Sequence, residues 1–183
     1  MAIRVAKKED LKDILAIYGP YVENTAISFE YTVPSLETFT ERFLRITKQF
    51  PFFVWEEEGK ILGYAYADAP FERAAFSWCA EPSVYILKEA RGKGIGKALY
   101  KALEETLKKQ GYVVLYAIIT TENEDSIAFH EALGYRHLAD FPRCGFKFDY
   151  WYGVTWMEKK LQTVEMPTKM PVPFAEIVNS YQN

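Results

Sequence analysis

The hexapeptide Arg91-Gly92-Lys93-Gly94-Ile95-Gly96 follows an apolar run, Ser83 to Leu87, and precedes the amphipathic stretch Lys97 to Gln110. A glycine-rich turn entering a helix is a device for holding phosphate. Glycine lets the backbone approach an anion, the first-turn N–H groups are unpaired, and the helix dipole adds a favourable field. Spacing tests the common owners of such a turn. A Walker loop requires Gly, four residues, then Gly-Lys-Ser/Thr, whereas Gly96-Lys97 is followed by Ala98 and Arg91 stands where the first glycine belongs. The dinucleotide fingerprint requires G-x-G-x-x-G with an acidic residue about 20 positions later at a strand end. Here the turn is G-x-G-x-G, and the next apolar run ends in Thr120-Thr121. The pattern that remains is R-x-x-G-x-G, filled by Arg91, Gly94 and Gly96.

Two further segments carry groups able to move protons. Glu81 lies in Trp78-Cys79-Ala80-Glu81-Pro82-Ser83-Val84-Tyr85-Ile86, and a carboxylate in a strand bound for the core must be paired, hydrogen-bonded or functional. A salt bridge to Arg73 or Lys147 would be the purely structural explanation. Pro82 beside it lacks a backbone donor and is read as a strand bulge. In the segment from Asn123 to Tyr135, Ser126 and His130 are four apart and share one helix face, which Asn123 continues at the N-terminal end. That face can meet amide and phosphate groups. The plain alternative for His130 is packing. Cys79 and Cys144 have no motif around them, so a covalent relay through a thiol is not expected.

The elements that must position these groups are legible in outline. The chain has 183 residues, 49% hydrophobic and 26% charged, as expected of a folded globule that buries roughly two thirds of its unfolded surface. Its net charge of −3 does not favour nucleic acid as a partner, although Arg91, Lys93 and Lys97 form a local phosphate-binding cluster. No apolar run approaches about 18 residues, the start Met1-Ala2-Ile3-Arg4 lacks a signal-peptide core, and two distant cysteines make neither a disulfide framework nor a zinc pattern. A cytoplasmic protein with no membrane partner and no metal is expected.

Periodicity predicts a strand over 3–6, a helix over 9–24, and a second helix after Ser35, its N-cap, with Leu36, Phe39, Phe43 and Ile46 as the buried stripe. Strands at 52–57 and 61–67 flank a hairpin turn, and Gly63, Ala65 and Ala67 give the second a small face that invites close packing. A fourth strand over 76–87 leads to the glycine turn and its helix, which Gly111 ends. Then come a strand over 113–119, a helix over 125–133, and strands over 136–141 and 154–161. Pro167, Pro171 and Pro173 mark a tail, so residues 1–161 are read as one domain and 162–183 as an appendage.

This element order, with the loop Arg91-Gly92-Lys93-Gly94-Ile95-Gly96, resembles the GNAT N-acetyltransferases, in which R-x-x-G-x-G binds the pyrophosphate of acetyl-CoA. The segment from Asn123 to Tyr135 is similar to that family's N-x-x-[SA]-x-x-x-Y-x-x-x-G-F, with His130 where most members have tyrosine. His130, together with Gly145-Phe146-Lys147 and Trp151, resembles the phosphinothricin and methionine-sulfone acetyltransferases.

The resemblance implies an α/β (α+β) acyl-CoA N-acyltransferase fold: a mixed, twisted sheet of about seven strands, flanked by about four helices and splayed between the fourth and fifth strands. It implies a homodimer that acetylates a small amino-acid-like amine directly from acetyl-CoA, with Glu81 as the base and His130 as the acid for the departing sulfur. Backbone N–H groups of Val84, Tyr85 and Ile86 would polarise the thioester carbonyl. Arg91, Gly92, Lys93, Gly94, Ile95, Gly96, Lys97, Asn123, Ser126 and His130 would line the cofactor. Phe29, Tyr31, Trp78 and Trp151 would form an aromatic substrate pocket, with Arg73 and Lys147 on an acidic group. Alternatives are an enzyme for a polyamine, an aminoglycoside or a protein N-terminus, and a non-catalytic CoA-binding module. Asp149 and Tyr152-Gly153 depart from the subfamily pattern.

Overall fold

The computed structural model describes residues 2–166 and 169–181, so Met1 and Pro167 lie outside the described residues. Seven strands form one sheet in the order β1-β2-β3-β4-β5-β7-β6. They are β1 (Ala2–Val5), β2 (Phe52–Glu57), β3 (Lys60–Asp68), β4 (Cys79–Ile86), β5 (Val114–Thr120), β6 (Arg136–Lys147) and β7 (Tyr150–Lys160). The helices are α1 (Leu11–Asn24), α2 (Leu36–Gln49), α3 (Ile95–Gln110), α4 (Glu124–Ala132) and the short α5 (Phe174–Ile177). The Ser35 hydroxyl caps α2 by accepting from the Thr38 N–H at 3.1 Å, and Gly111 ends α3 at φ 101°.

The sheet is antiparallel except between β4 and β5, which run parallel and pair only at Cys79–Val114 and Ala80–Leu115. Beyond those two pairs the strands part. This is the splay the sequence led us to expect, and it places a slot in the middle of the sheet. On one side of the sheet α3 buries Leu99, Leu103 and Leu107 against the small face of β3, where Ala65 and Ala67 have no exposed surface. On the other side, under α1 and α2, Phe52, Tyr64 and Tyr66 stack in a column that Tyr85 and Tyr18 extend.

The last two strands are longer than periodicity suggests, because Pro142 and Gly145 read as breakers. β6 is the sheet's edge, where a proline forfeits no ladder bond, and an irregular register between Phe141 and Gly145 absorbs both residues. The β6–β7 turn is made by Phe148 and Asp149, both left-handed at φ 51° and 56°, without the glycine that usually announces such a hairpin.

The segment after β7 packs back on the domain. Phe174 is buried in the core, and the Gln110 side-chain amide donates to the carbonyls of Gln49 and Val172 at 2.8 and 2.7 Å.

Candidate active site

The glycine turn leads directly into α3. Gly92 and Gly94 adopt φ of 75° and 79°, conformations that cost a side chain energy, and Gly94 caps the helix with no side-chain acceptor. The first-turn N–H groups of α3 therefore point at open space beside exposed Lys93 and Lys97. A cavity of about 440 Å³ starts there and runs along Arg91, Ile95, Phe129, Asn123 and Ser126 to Ile27 and Val84. A smaller one, about 70 Å³, adjoins it in the β4–β5 slot and is lined by Pro82, Val84, Tyr100, Ala117, Ser126 and His130. The two share Ile27, Val84, Asn123 and Ser126. An anion-binding end, an elongated channel and a narrow polar terminus suit a ligand with a phosphate head and a long arm. These residues fit acetyl-CoA.

Alternation along β4 decides which backbone groups face the slot. The Leu87 N–H donates to Leu62 on β3, whereas the Trp78 carbonyl accepts from β5, so Pro82, Val84 and Ile86 direct their backbone polar groups away from β3. Ile86 is already engaged: its N–H donates to the Tyr21 hydroxyl at 3.1 Å, and its carbonyl accepts from it at 2.5 Å. Tyr85 belongs to the β3 ladder. Of the three donors expected at the thioester, only the Val84 N–H is left facing the slot. Pro82 is not a bulge, because it sits in regular register opposite Ala67. Its missing N–H falls on the parted edge, where no ladder bond is lost.

His130 is buried on α4 with both ring nitrogens held. Nδ1 lies 2.7 Å from the Ser126 carbonyl, which only accepts, so Nδ1 carries the proton. Nε2 then accepts from the Tyr100 hydroxyl at 2.8 Å, while the Pro82 carbonyl stands 3.2 Å from the same hydroxyl. Burial lowers the proton affinity of His130, only partly offset by the Ser126 carbonyl, and pushes the Tyr100 phenol far above its usual range. His130 therefore lines the slot with both ring nitrogens engaged by protein groups. Tyr100, unremarkable in the sequence because it falls on the apolar stripe of α3, lines the slot beside His130 with its hydroxyl on Nε2.

Glu81 is half-buried and makes no salt bridge to Arg73, Lys147 or any other described residue. Its carboxyl is pushed up to about 7, mainly by burial and further by the charge of Asp68. A carboxylate of that affinity can take a proton near neutral pH. On the same face of the sheet, Ser28 accepts from or donates to Tyr18 at 2.7 Å, and Glu30 accepts from Tyr18 at 2.8 Å and from Arg42. Sequence reasoning missed Asp68, Glu30 and Arg42 because single charges at a strand end or on a helix surface read as solvated.

The expected substrate pocket is brought together only in part. Phe29 and Tyr31, on the α1–α2 connection, meet the β6–β7 hairpin, where Trp151 packs beside Phe146 with ring centroids 5.2 Å apart. Trp78 is elsewhere: its indole N–H donates to the Lys169 carbonyl at 3.1 Å and holds the C-terminal segment. Arg73 is exposed in the β3–β4 connection. Lys147 is corrected outright. It is 2% exposed, and its ammonium is spent on the main-chain carbonyls of Val22, Thr25 and Ser28, leaving nothing for a substrate.

Comparison with known proteins agrees with the ligand the geometry suits. The family profile "Acetyltransferase (GNAT) domain" matches residues 3–156. A methionine sulfoximine/methionine sulfone acetyltransferase of Pseudomonas paraeruginosa is 38% identical over 87% of this chain and 94% of its own. A phosphinothricin N-acetyltransferase of Streptomyces viridochromogenes is 28% identical over 90% of each chain. The crystal structure of a phosphinothricin acetyltransferase from Sinorhizobium meliloti in complex with acetyl-CoA superposes with a TM-score of 0.89 at 36% identity, over 94% of this chain and 96% of that one. The slot, the glycine turn and these likenesses converge on one conclusion: the chain belongs to the GNAT acetyltransferase family and is an N-acetyltransferase with acetyl-CoA as co-substrate.

Proposed function

We propose that the enzyme acetylates the amino group of a small amino-acid-like acceptor of the phosphinothricin, methionine sulfone or methionine sulfoximine type, by direct transfer in a ternary complex. The observation that carries this reading is Glu81, a carboxyl held near neutrality on β4, the strand that borders the slot, with no cationic partner among the described residues. The named activities of the relatives supply the substrate class.

In this mechanism Glu81 takes one proton from the acceptor's ammonium, freeing the lone pair that attacks the thioester carbon. The Val84 N–H donates to the carbonyl oxygen as negative charge develops there. The adduct then carries a surplus proton on nitrogen, and the departing sulfur lacks one. The Tyr100–His130 pair can move it. When His130 is neutral, the Tyr100 hydroxyl donates to Nε2. When Nε2 holds an extra proton it donates to the Tyr100 oxygen, and the hydroxyl hydrogen turns to the Pro82 carbonyl. One proton enters from nitrogen and leaves to sulfur with no heavy atom displaced, while the proton on Glu81 is released to solvent.

A second reading has its own observation in favour. With Lys147 withdrawn, the carboxyl of Glu81 is left without a cationic partner among the described residues and suits a polycation, while Asp68 and Glu30 on the same face are already paired with Arg45 and Arg42. Steady-state thiol release from acetyl-CoA with methionine sulfone, phosphinothricin and spermidine separates the two. A kcat/KM for spermidine well above that for both amino acids would overturn the first.

We also propose a homodimer in the cytoplasm, acting on a small molecule and not on nucleic acid. Support comes from the exposed side chains of Leu138 and Phe141 on β6, Phe148 in the turn and Tyr150 on β7, apolar surface of the kind partners cover, and from two free cysteines, as in a reducing compartment. Among the described residues no helix is long and apolar enough to cross a membrane.

A further inference from the structure

Lys147 ends β6 as a buried ammonium whose hydrogen bonds go to no carboxylate, Glu30 acting on it only through its charge. Its three N–H donors meet three main-chain carbonyls, Val22 at 2.6 Å, Thr25 at 2.9 Å and Ser28 at 2.7 Å. Two of these belong to the C-terminal end of α1, where the helix dipole is negative and favours a cation. Burying a charge is costly, and burial does pull this lysine's proton affinity down. A methionine would fill the same space without that cost. What the ammonium adds is geometric: one point binds three carbonyls spread over seven residues of chain that has no strand or helix of its own after Asn24.

Other contacts converge on the same segment. The Thr120 hydroxyl donates to the Ala26 carbonyl at 2.5 Å, and the Tyr31 hydroxyl to the Phe146 carbonyl at 2.5 Å. The ring of Phe29 lies so close over Gly145 that no Cβ fits there. Within the segment, Ile27 lines both the slot and the cofactor channel. Ser28 and Glu30 are held by Tyr18 on the face that carries Glu81.

We propose that Lys147 is a positioning residue for the acceptor amine: its ammonium clasps residues 22–28 to the end of β6, so that Ile27, Phe29 and Glu30 wall the acceptor side of the slot. This rests on the acceptor side lying on the Glu81 face. The phosphate end of the site, Arg91 to Gly96, is formed by the turn before α3 and its first residues, and Lys147 makes no hydrogen bond to it.

The test is a Lys147→Met variant assayed with whichever amine the wild-type enzyme acetylates, so that a wrong substrate class counts against the proposed function and not against the clasp. The amine KM is expected to rise about tenfold or more, while kcat and the calorimetric Kd for CoA stay within about threefold. Gly145→Ala, which displaces the Phe29 ring and leaves the ammonium in place, is expected to give the same split and serves should Lys147→Met fail to fold. Equal weakening of amine and CoA, a loss confined to kcat, or an unchanged amine KM in the folded variants would overturn the proposal.

Discussion

Asp68 and Glu81 are cross-strand partners in the β3–β4 ladder, so their carboxylates share one face of the sheet, yet Arg45 pairs with both oxygens of Asp68, at 2.9 and 2.6 Å, and with neither of Glu81. One acid of the pair is neutralised by contact. The other is left to burial and to its neighbour's charge.

A pH profile reads this relationship. With Glu81 at about 7, kcat/KM is expected to climb through neutrality as the carboxyl ionises. Asp68→Asn removes the facing negative charge while keeping the shape, so the acid limb should move to lower pH. A limb that stays where it was would uncouple the two carboxyls.

Glu81→Gln should lower kcat by about a hundredfold or more and leave CoA binding unchanged. The same change carries a stability signature of defined sign. The folded protein holds the Glu81 proton up to about 7, whereas the unfolded chain releases it near 4.5, the ordinary value for a glutamate. The wild type therefore loses stability as pH rises between those values, and the loss stays constant above them. The variant escapes this loss. Its thermal midpoint should exceed the wild type's at pH 8, corresponding to up to about 2 kcal/mol, and match it near pH 4. Equal midpoints at both pH values would contradict the buried, proton-hungry carboxyl.

Tyr100→Phe deletes the hydroxyl that joins His130 Nε2 to the Pro82 carbonyl. A drop in kcat of about a hundredfold is expected, with the acid limb unmoved. If Tyr100 and His130 act as one unit, the double variant with His130→Phe should be little worse than Tyr100→Phe alone. Fully additive losses in the double-mutant cycle would mean that the two residues work separately.

Gly94→Ala forces a side chain into φ 79° at the mouth of α3. A cost of about 1–2 kcal/mol is expected, and a weakening of CoA by about tenfold or less if the strain is relieved by moving the turn. Calorimetry against CoA and a melting curve divide the effect between affinity and stability, and an alanine variant indistinguishable in both would show that the left-handed turn is not required.

Much of this was legible in the residues themselves. Ser35, Gly94 and Gly111 state where α2 and α3 begin and end, and alternation exposes the small face of β3. The length of β6 was hidden because the tolerance of Pro142 depends on its lying at an edge, which is a property of the whole sheet. Lys147 was misread for a related reason. Its partners are carbonyls at positions 22, 25 and 28, which every residue type possesses, so no pattern of side chains could announce them. Tyr100 looked like any core tyrosine until Pro82 and His130 were seen on either side of its hydroxyl.

Pro82 has a consequence for how the sheet is kept from closing. Two parallel strands that begin to pair at Cys79 and Ala80 present a zipper half done up, and nothing in the apolar composition of β5 would stop it from running further. The next β4 residue whose backbone faces β5 is Pro82, which has no hydrogen to give. The fold thus carries a stop in the zipper's track, placed where the teeth must stay apart for a ligand to enter between them.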